Sequence, residues 1–266
     1  MKIKIFIISL RNSSRRQFQK KQFASLNLNF EFFDAISKID VEKNKLFKFL
    51  NFDWERPLNI SEKACYLSHK SLWEEIIKTN TNALILEDDA LVSKNLPIFL
   101  RKLERKFNFD YINLENRGRK KILSKSKIFI TEDFSLRRLL HDSTGAAGYL
   151  LSPSGARKIL LCESKKGRAL ADAQIANCSQ LNKYQMIPPL VIQLDMCQYY
   201  SIKTPKWLGD IANSSVSFKE KPPTKAAFKL RRIKSQIKIG VKKALYSFLG
   251  ENKEVGLTNK DSFIFD

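Results

Sequence analysis

The chain has 266 residues, 43% of them hydrophobic, and its 48 lysines and arginines outnumber its 27 aspartates and glutamates, for a formal net charge of +21. This length and apolar content allow a sizeable core, which excludes a wholly disordered protein. We find no internal repeat of solenoid length and no run near the roughly 18 apolar residues of a membrane span. The positive charge suits nucleic acid, an anionic membrane surface or anionic substrates.

The first predicted element is an apolar strand over residues 3–10, IKIFIISL. Its apolar stretch stops at Arg11 without a small-residue cleavage site, and it is shorter than the roughly 7–15 residues of a secretory signal core. We therefore expect a buried strand rather than a leader, and a cytoplasmic catalytic region.

A helix over residues 13–27 follows, with Ser13 or Ser14 as its cap, and then a second strand over residues 30–36. Apolar residues recur at helical spacing in the first segment, and aromatic residues dominate the second. This β-α-β opening predicts a parallel sheet.

The alternation continues with a helix over residues 59–80, for which Ser61 is the expected N-cap. Strands are predicted over 83–89 and 109–115, and a strand, turn and helix over 145–160. The pattern predicts an α/β fold with a single, mostly parallel sheet flanked by helices. Open α/β sheets bind ligands at the carboxyl ends of their strands.

The chain contains four cysteines, and no two of them have Cys-x-x-Cys spacing. This spacing predicts neither a zinc knuckle nor a redox pair. We expect four scattered, reduced thiols, which fit a reducing compartment. The four positions are Cys65, Cys162, Cys178 and Cys197.

Three acids, Glu87, Asp88 and Asp89, end the apolar strand ALILEDD. Strand alternation points Glu87 and Asp89 one way and Asp88 the other. Two carboxylates on one side can hold Mg²⁺ or Mn²⁺, which in turn can bind a diphosphate leaving group. The alternative is a solvated turn whose acids cap the next helix. We favour the metal site because adjacent like charges repel unless a cation offsets them.

Three other features have both a structural and a functional interpretation. His69 beside Ser68 on a helix is most often a structural histidine. The small residues Gly145–Gly148 permit close approach of a backbone or ligand, but they match neither a dinucleotide fingerprint nor a P-loop. Asp172 is either a helix N-cap or an acid brought to the site as a general base.

The last part of the chain differs in composition from the rest. A polar, Pro-containing linker over 217–225 precedes a basic amphipathic helix over 226–250. We predict a catalytic domain over residues 1–216 and a basic, membrane-associating tail over 217–266. The alternative is that the apolar face of the helix packs on the catalytic domain.

The chain resembles glycosyltransferase family 25, of the lipooligosaccharide galactosyltransferase type. Five segments match in order: IFIISLRNSSRR, FEFFDA, ISEKACYLSHKSLW, ALILEDDA and GAAGYLLSPSGARKIL. Two glycines of the family motif before Ser68-His69 are replaced in Ser61-Glu62-Lys63-Ala64-Cys65. The usual Pro-Val-Asp is reduced to Ala-Asp172.

This resemblance implies a GT-A type fold, a UDP-sugar donor (usually UDP-galactose), a Mn²⁺ or Mg²⁺ cofactor held by Asp89 and Glu87, and β-linked transfer with inversion. Asp172 is the candidate catalytic base. The acceptor is a lipid-linked oligosaccharide of the lipooligosaccharide or lipopolysaccharide core, reached from an anionic membrane surface on the inner face of the bacterial inner membrane. The implied donor- and acceptor-binding residues are Ser9, Arg11, Arg15, Glu62, Ser68, His69, Glu87, Asp88, Thr144, Gly145 and Tyr149.

Two other classes of function compete with this one. A nucleic-acid-binding protein would explain the charge, but no binding motif is present, so we expect no nucleic-acid partner. A family member that has lost catalysis would explain the missing glycines. The sequence leaves the acceptor, the linkage and the oligomeric state open.

Overall fold

A computed structural model describes residues 3–48, 50, 52, 55–103, 109–141, 145–203, 226–257 and 260–263. Its strands are β1 (Ile3–Ser9), β2 (Glu31–Asp34), β3 (Asn82–Glu87), β4 (Ala90–Val92), β5 (Tyr111–Asn113), β6 (Lys120–Ser124), β7 (Ile128–Phe129), β8 (Ser135–His141), β9 (Gly148–Leu151), β10 (Lys183–Ile187), β11 (Val191–Gln193) and β12 (Gly250–Glu254). Its α-helices are α1 (Arg15–Ser25), α2 (Lys38–Lys43), α3 (Lys45–Lys48), α4 (Ile60–Thr79), α5 (Leu96–Leu103), α6 (Pro153–Lys166), α7 (Ala171–Asn177) and α8 (Ala226–Leu249).

Ten of these strands form one central sheet in the order β12-β6-β8-β10-β5-β9-β3-β1-β2, with β7 beside β8. Strands β1, β2 and β3 are parallel, as the β-α-β opening predicts, and β5 is parallel to β10. The other pairs are antiparallel: β9 runs opposite to both β3 and β5, and the strands from β10 through β8 and β6 to β12 alternate in direction. The sheet is therefore mixed, and the predicted parallel arrangement holds for β2, β1 and β3 and for the pair β5 and β10.

The core has a layer on each face of the sheet. Alternate residues of β1 face opposite sides, so Ile5 and Ile7 join one apolar cluster while Phe6 and Ile8 join the other. Helices α1 and α5 pack on the first face, and α4 and α6 on the second. Both faces of β1 are covered, which explains its nearly continuous apolar sequence.

Helix α4 carries one side of the candidate site. It begins with a capping box in which the Asn59 side chain accepts from the Glu62 amide and Glu62 bonds back to the Asn59 amide. The prediction of Ser61 as N-cap was wrong by two residues. The helix ends at Asn80 in the left-handed conformation, and Leu72, Trp73 and Ile76 bury its inner face.

The expectation of four free thiols was wrong for one pair. Cys162 in α6 and Cys178 after α7 form a disulfide, with Cα atoms 5.7 Å apart. The two residues are 16 positions apart, a spacing with no recognisable signature, and only the packing of α7 beside α6 brings them together. Cys65 and Cys197 are free thiols.

The C-terminal segment includes the predicted basic helix as α8, and the predicted linker over 217–225 lies outside the described residues. After α8, strand β12 pairs antiparallel with β6, so residues 250–254 extend the central sheet. Ser262 bonds to Ser93 and Phe263 is buried in a cluster with Phe18. None of the described helices combines the length and the apolar character that crossing a membrane requires.

Candidate active site at the carboxyl end of the sheet

The candidate site lies where β1 and β3 end together. The two strands are parallel, and their register pairs Ile8 with Glu87. Asp88 and Asp89 form the tight turn that leads from β3 into β4. The predicted acidic triplet therefore lies at the carboxyl edge of the sheet, which is the usual ligand edge of an open α/β sheet.

Glu87 and Asp89 point to the same side of this edge, as the alternation predicted. Both accept from the side-chain amide of Gln193, whose Nε2 lies 3.3 Å from Glu87 Oε2 and 3.3 Å from Asp89 Oδ2. Gln193 arrives from β11, which pairs antiparallel with β4. Burial, and then the charge of Glu87, raise the pKa of Asp89 to about 7, so the protein does not offset this carboxylate well.

Asp88 points the other way, and both of its carboxylate oxygens bond to protein side chains. Its Oδ2 accepts from the hydroxyls of Ser9 and Ser13, each at 2.8 Å, and its Oδ1 lies 3.1 Å from the Arg15 guanidinium. Ser13 also accepts from the Arg15 amide, whereas Ser14 at the N-cap position makes no side-chain capping bond. Asp88 thus joins β1, the first turn of α1 and the β3–β4 turn.

A buried chain of hydrogen bonds ends at the carboxylate of Glu87. The Trp73 indole donates to the Tyr149 hydroxyl at 2.9 Å, this hydroxyl lies 2.9 Å from His69 Nδ1, and His69 Nε2 lies 3.2 Å from Glu87 Oε1. An indole N–H only donates and a carboxylate only accepts, so we assign Tyr149 as donor to Nδ1 and Nε2–H as donor to Glu87. The chain orients the carboxylate of Glu87.

Glu115 is a fourth carboxylate at this edge, and the sequence did not single it out as a site residue. It follows β5, is 1% exposed, and its Oε2 accepts from the Ala147 amide at 2.9 Å, while its Oε1 is buried without a hydrogen-bond partner in the described structure. Burial, and then the charge of Glu87, raise its pKa to about 8. Its place at the end of the predicted strand FDYINLE was the available signal.

Gly145 has the close approach that its small size predicted, but to a side chain of the protein. Its φ is +98°, and a Cβ there would lie 2.4 Å from Glu115 Oε2. Any larger residue would therefore displace Glu115. Two residues beyond Glu115, Arg117 forms an ion pair of 2.8 Å with Asp195. Burial alone would lower the pKa of Arg117, but the hydrogen bond to Asp195 and the charges of Asp195, Glu115 and Asp89 raise it overall.

Three other predicted site residues bond to neighbouring parts of the protein. Ser68 donates to the Ala64 carbonyl and accepts from the Ile36 amide, Glu62 pairs with Arg56, and the exposed Arg11 pairs with Asp34 at 2.8 Å. Thr144 lies outside the described residues.

Asp172 lies in the first turn of α7, where its Oδ1 bonds to the adjacent Ala173 amide at 2.7 Å, and Leu170 rather than Asp172 is the N-cap. It lines a small cavity together with Gly145 and Tyr111. After burial, the charges of Glu87 and Asp172 are the largest causes that raise the pKa of the Cys65 thiol. Helix α7, which carries Asp172, packs beside α4, the helix that carries Cys65 and His69.

The residues present fit a hard divalent cation. Carboxylate oxygens of Glu87 and Asp89 converge on one polar atom of Gln193, and burial, followed by the charge of Glu87, raises the pKa of Asp89. Mg²⁺ and Mn²⁺ prefer such oxygens, and Mg²⁺ usually takes one or two carboxylates and completes its shell with water and phosphate.

Comparison with known proteins gives a family. The sequence model of the family described as glycosyltransferase family 25 (LPS biosynthesis protein) matches residues 2–175. The chain is 28% identical over 233 residues to lipooligosaccharide biosynthesis protein lic2B of Haemophilus influenzae, which covers 81% of this chain and 85% of that protein. It is 29% identical over 163 residues to lacto-N-neotetraose biosynthesis glycosyltransferase LgtE of Neisseria gonorrhoeae, or 58% of each protein. Procollagen galactosyltransferase 1-B of Xenopus laevis is 29% identical over 182 residues, 60% of this chain and 28% of that protein.

Proposed function

Because the chain belongs to glycosyltransferase family 25, we propose that it transfers galactose from UDP-galactose to a lipooligosaccharide or lipopolysaccharide core acceptor, with a divalent cation and inversion at the anomeric carbon, on a GT-A type fold. The names of relatives in lipooligosaccharide biosynthesis and of a galactosyltransferase support the donor and acceptor. The observation that carries the proposal is the convergence of Glu87 and Asp89, incompletely neutralised, at the carboxyl end of β3.

In this proposal Glu87 and Asp89 hold Mn²⁺ or Mg²⁺, which when bound offsets the charge that develops on the departing diphosphate. Gln193 donates to both carboxylates from one nitrogen, so their oxygens point toward the same place. The chain from Trp73 through His69 fixes the rotamer of Glu87, so the site is organised before the donor arrives.

The protein must also accept a proton from the attacking sugar hydroxyl. Asp172 is the proposed base, since it lies in the first turn of α7 and lines the same small cavity as Gly145. A carboxylate opposite the leaving group suits transfer with inversion, because the hydroxyl attacks the anomeric carbon from the face opposite the departing diphosphate. The net charge of +21 attracts the anionic donor and acceptor.

A donor screen tests the reaction. Each UDP-sugar is offered with a truncated glycolipid acceptor, with Mn²⁺, with Mg²⁺ and with EDTA, and the product linkage is read by NMR. We expect UDP-galactose to be preferred, activity to vanish in EDTA and return with Mn²⁺, and the product to be β-linked. Full activity in EDTA would contradict the proposed dependence on a metal ion, and an α-linked product would contradict inversion at the anomeric carbon.

The substitution Asp89→Asn tests the site itself. It keeps the shape of the side chain and removes a charge that is repelled by Glu87, so we expect transfer to fall by about 100-fold or more while thermal stability is unchanged or slightly higher. Asp133→Asn makes the same chemical change on an exposed turn and should leave both quantities unaltered. An Asp89→Asn enzyme with wild-type activity would contradict the proposal.

We also propose that α8 holds the enzyme reversibly on an anionic membrane. Its apolar residues are not covered in the structure: Phe248 is 85% exposed and Val241 64% exposed, and Leu230, Ile233, Ile237 and Leu245 are also exposed. This exposure supports binding of the apolar face of α8 to a membrane rather than its packing on the catalytic domain. The exposed basic residues of the helix include Lys229, Arg232, Lys234 and Lys243. Each basic residue near an anionic leaflet contributes about 1 kcal/mol.

Substitutions within α8 test membrane binding better than truncation, since removing everything after residue 217 would also remove β12 from the sheet. Replacing Ile237, Val241 and Leu245 by serine should abolish co-sedimentation with phosphatidylglycerol-containing vesicles at low salt. Ile39→Ser, at an apolar side chain 58% exposed on α2, is the matched control and should bind like wild type. Wild-type protein that ignores these vesicles would contradict the membrane role.

A further inference from the structure

A second group of metal-binding side chains adjoins the carboxylate pair. Cys65, His69 and Glu87 each offer one ligand atom, and these atoms all lie within 4.8 Å of one another. Cys65 and His69 are four residues apart on α4 and so share one face of the helix. Glu87 meets them from the end of β3.

The geometry is close to that of a tetrahedral site. Bonds of about 2.0–2.2 Å from Zn²⁺ to nitrogen and oxygen place two tetrahedral ligands about 3.4 Å apart, and a Zn–S bond of about 2.3 Å places sulfur about 3.6 Å from each. His69 Nε2 and Glu87 Oε1 are already 3.2 Å apart. The thiol of Cys65 lies within 4.8 Å of the other two ligand atoms and must approach them by up to about 1.2 Å.

The surroundings favour a cation at this point. Glu87, Asp172, Asp89 and Glu62 all act electrostatically on Cys65, and each of these acids adds negative potential there. The other nitrogen of His69, Nδ1, is 2.9 Å from the Tyr149 hydroxyl. A bonded second nitrogen is typical of histidines that bind metals, because it holds the ring in place.

We propose that Cys65, His69 and Glu87 form a site for Zn²⁺ or a similar borderline-soft cation, which shares Glu87 with the Mn²⁺ or Mg²⁺ pair and therefore competes with it. Binding releases the thiol proton of Cys65. The imidazole proton moves from Nε2 to Nδ1, and Nδ1–H then donates a hydrogen bond to the Tyr149 oxygen while the hydroxyl hydrogen of Tyr149 turns away from Nδ1. A thiolate and an imidazole select Zn²⁺ over Mg²⁺ and Mn²⁺, whereas Asp89 with Glu87 offers only oxygen. The competition rests on the proposed function, but the binding does not.

Co²⁺ is a suitable probe, since it takes the same ligands as Zn²⁺ and shows a charge-transfer absorption when a thiolate binds it. We expect full-length, metal-free protein to develop this absorption at one Co²⁺ per chain and to lose it when Zn²⁺ is added. Cys197→Ser, at the other free thiol, should keep the absorption, and Cys65→Ser should lose it. No absorption in the wild type, or its persistence in Cys65→Ser, overturns the site.

A second measurement uses unaltered protein and so does not depend on the folding of a variant. Zn²⁺ should protect Cys65 from alkylation, read by peptide mass spectrometry, whereas Mn²⁺ at the same concentration should not. Equal labelling with and without Zn²⁺ overturns the site.

Competition is read from transfer activity. For each variant we measure the Zn²⁺ concentration that halves its own Mn²⁺-supported rate. This concentration should be at least about tenfold higher for Cys65→Ser than for Cys197→Ser. The reason is that losing a ligand lowers metal affinity at least as much as losing a residue that only orients a ligand. Equal values overturn the competition. A protein that binds Co²⁺ through Cys65 but is active in EDTA would refute the proposed metal dependence and leave the zinc site standing.

Discussion

The two sides of the turn after β3 differ in how their carboxylates are neutralised. On one side Asp88 accepts from two serine hydroxyls and an arginine. On the other side, among the residues that the structure describes, the Asp89 side chain accepts only from the Gln193 amide, and burial raises its pKa to about 7. Adjacent residues of the same type thus have opposite roles: one stabilises the fold, and the other retains a need for positive charge.

This difference separates a structural acid from a candidate ligand without reference to any ligand. A carboxylate whose charge is already offset by the protein gains little from a cation, and its loss costs folding free energy. A carboxylate that burial and a neighbouring acid both disfavour gains much from a cation, and its loss costs little folding free energy. Each side of the turn therefore has its own expected response to substitution.

The largest expected effect on stability belongs to Asp88. The substitution Asp88→Ala removes the acceptor of the Ser9 and Ser13 hydroxyls and the partner of Arg15, all largely buried, and should lower the free energy of unfolding by about 3 kcal/mol. Urea denaturation measures it, with the exposed Asp133→Ala as the control. If Asp88→Ala is as stable as wild type, the distinction between the two sides fails.

A smaller effect is expected behind Glu87. The substitution Tyr149→Phe leaves the Trp73 N–H and His69 Nδ1 without the hydroxyl that joins them, which should cost about 1–2 kcal/mol of stability and about tenfold in turnover, because Glu87 loses its orientation. Tyr199→Phe, at a side chain 60% exposed, should change stability by less than about 0.5 kcal/mol. Stability loss with unchanged turnover would show that the chain supports the fold alone.

The last effect is a pH dependence of stability that arises at Glu115. Its pKa rises from 4.5 to about 8 on folding, so between these values the folded chain retains a proton that the unfolded chain has released. Stability should therefore fall as pH rises through this window. Glu115→Gln keeps an acceptor for the Ala147 amide and removes the titration, so its melting temperature should decline less between pH 5 and 8.

The exposed Glu132→Gln serves as the control for that comparison and should follow the wild-type curve. Parallel curves for wild type and Glu115→Gln would mean that Glu115 is ionised in the folded protein, and it would then have to be counted with Asp89 as a charged member of the edge.

Several features follow from the sequence by itself because their causes are local. The apolar run of β1, the helical spacing of α4 and the basic amphipathic pattern of α8 each appear in the structure over nearly the predicted ranges. The opposite directions of Asp88 and Asp89 also follow from their adjacency at a strand end. Such features depend on the period of an element, which is set within a few residues.

Only the tertiary structure decided which distant residues meet. Gln193 reaches Glu87 from 106 residues away because β11 pairs with β4, and Glu115 joins the edge because β9 inserts antiparallel between β3 and β5. The Cys162–Cys178 disulfide and the approach of Cys65 to Glu87 arise in the same way. Hydrophobic periodicity specifies which face of a strand or helix is buried, but not which neighbour it is buried against. Strand order therefore determined the composition of the site.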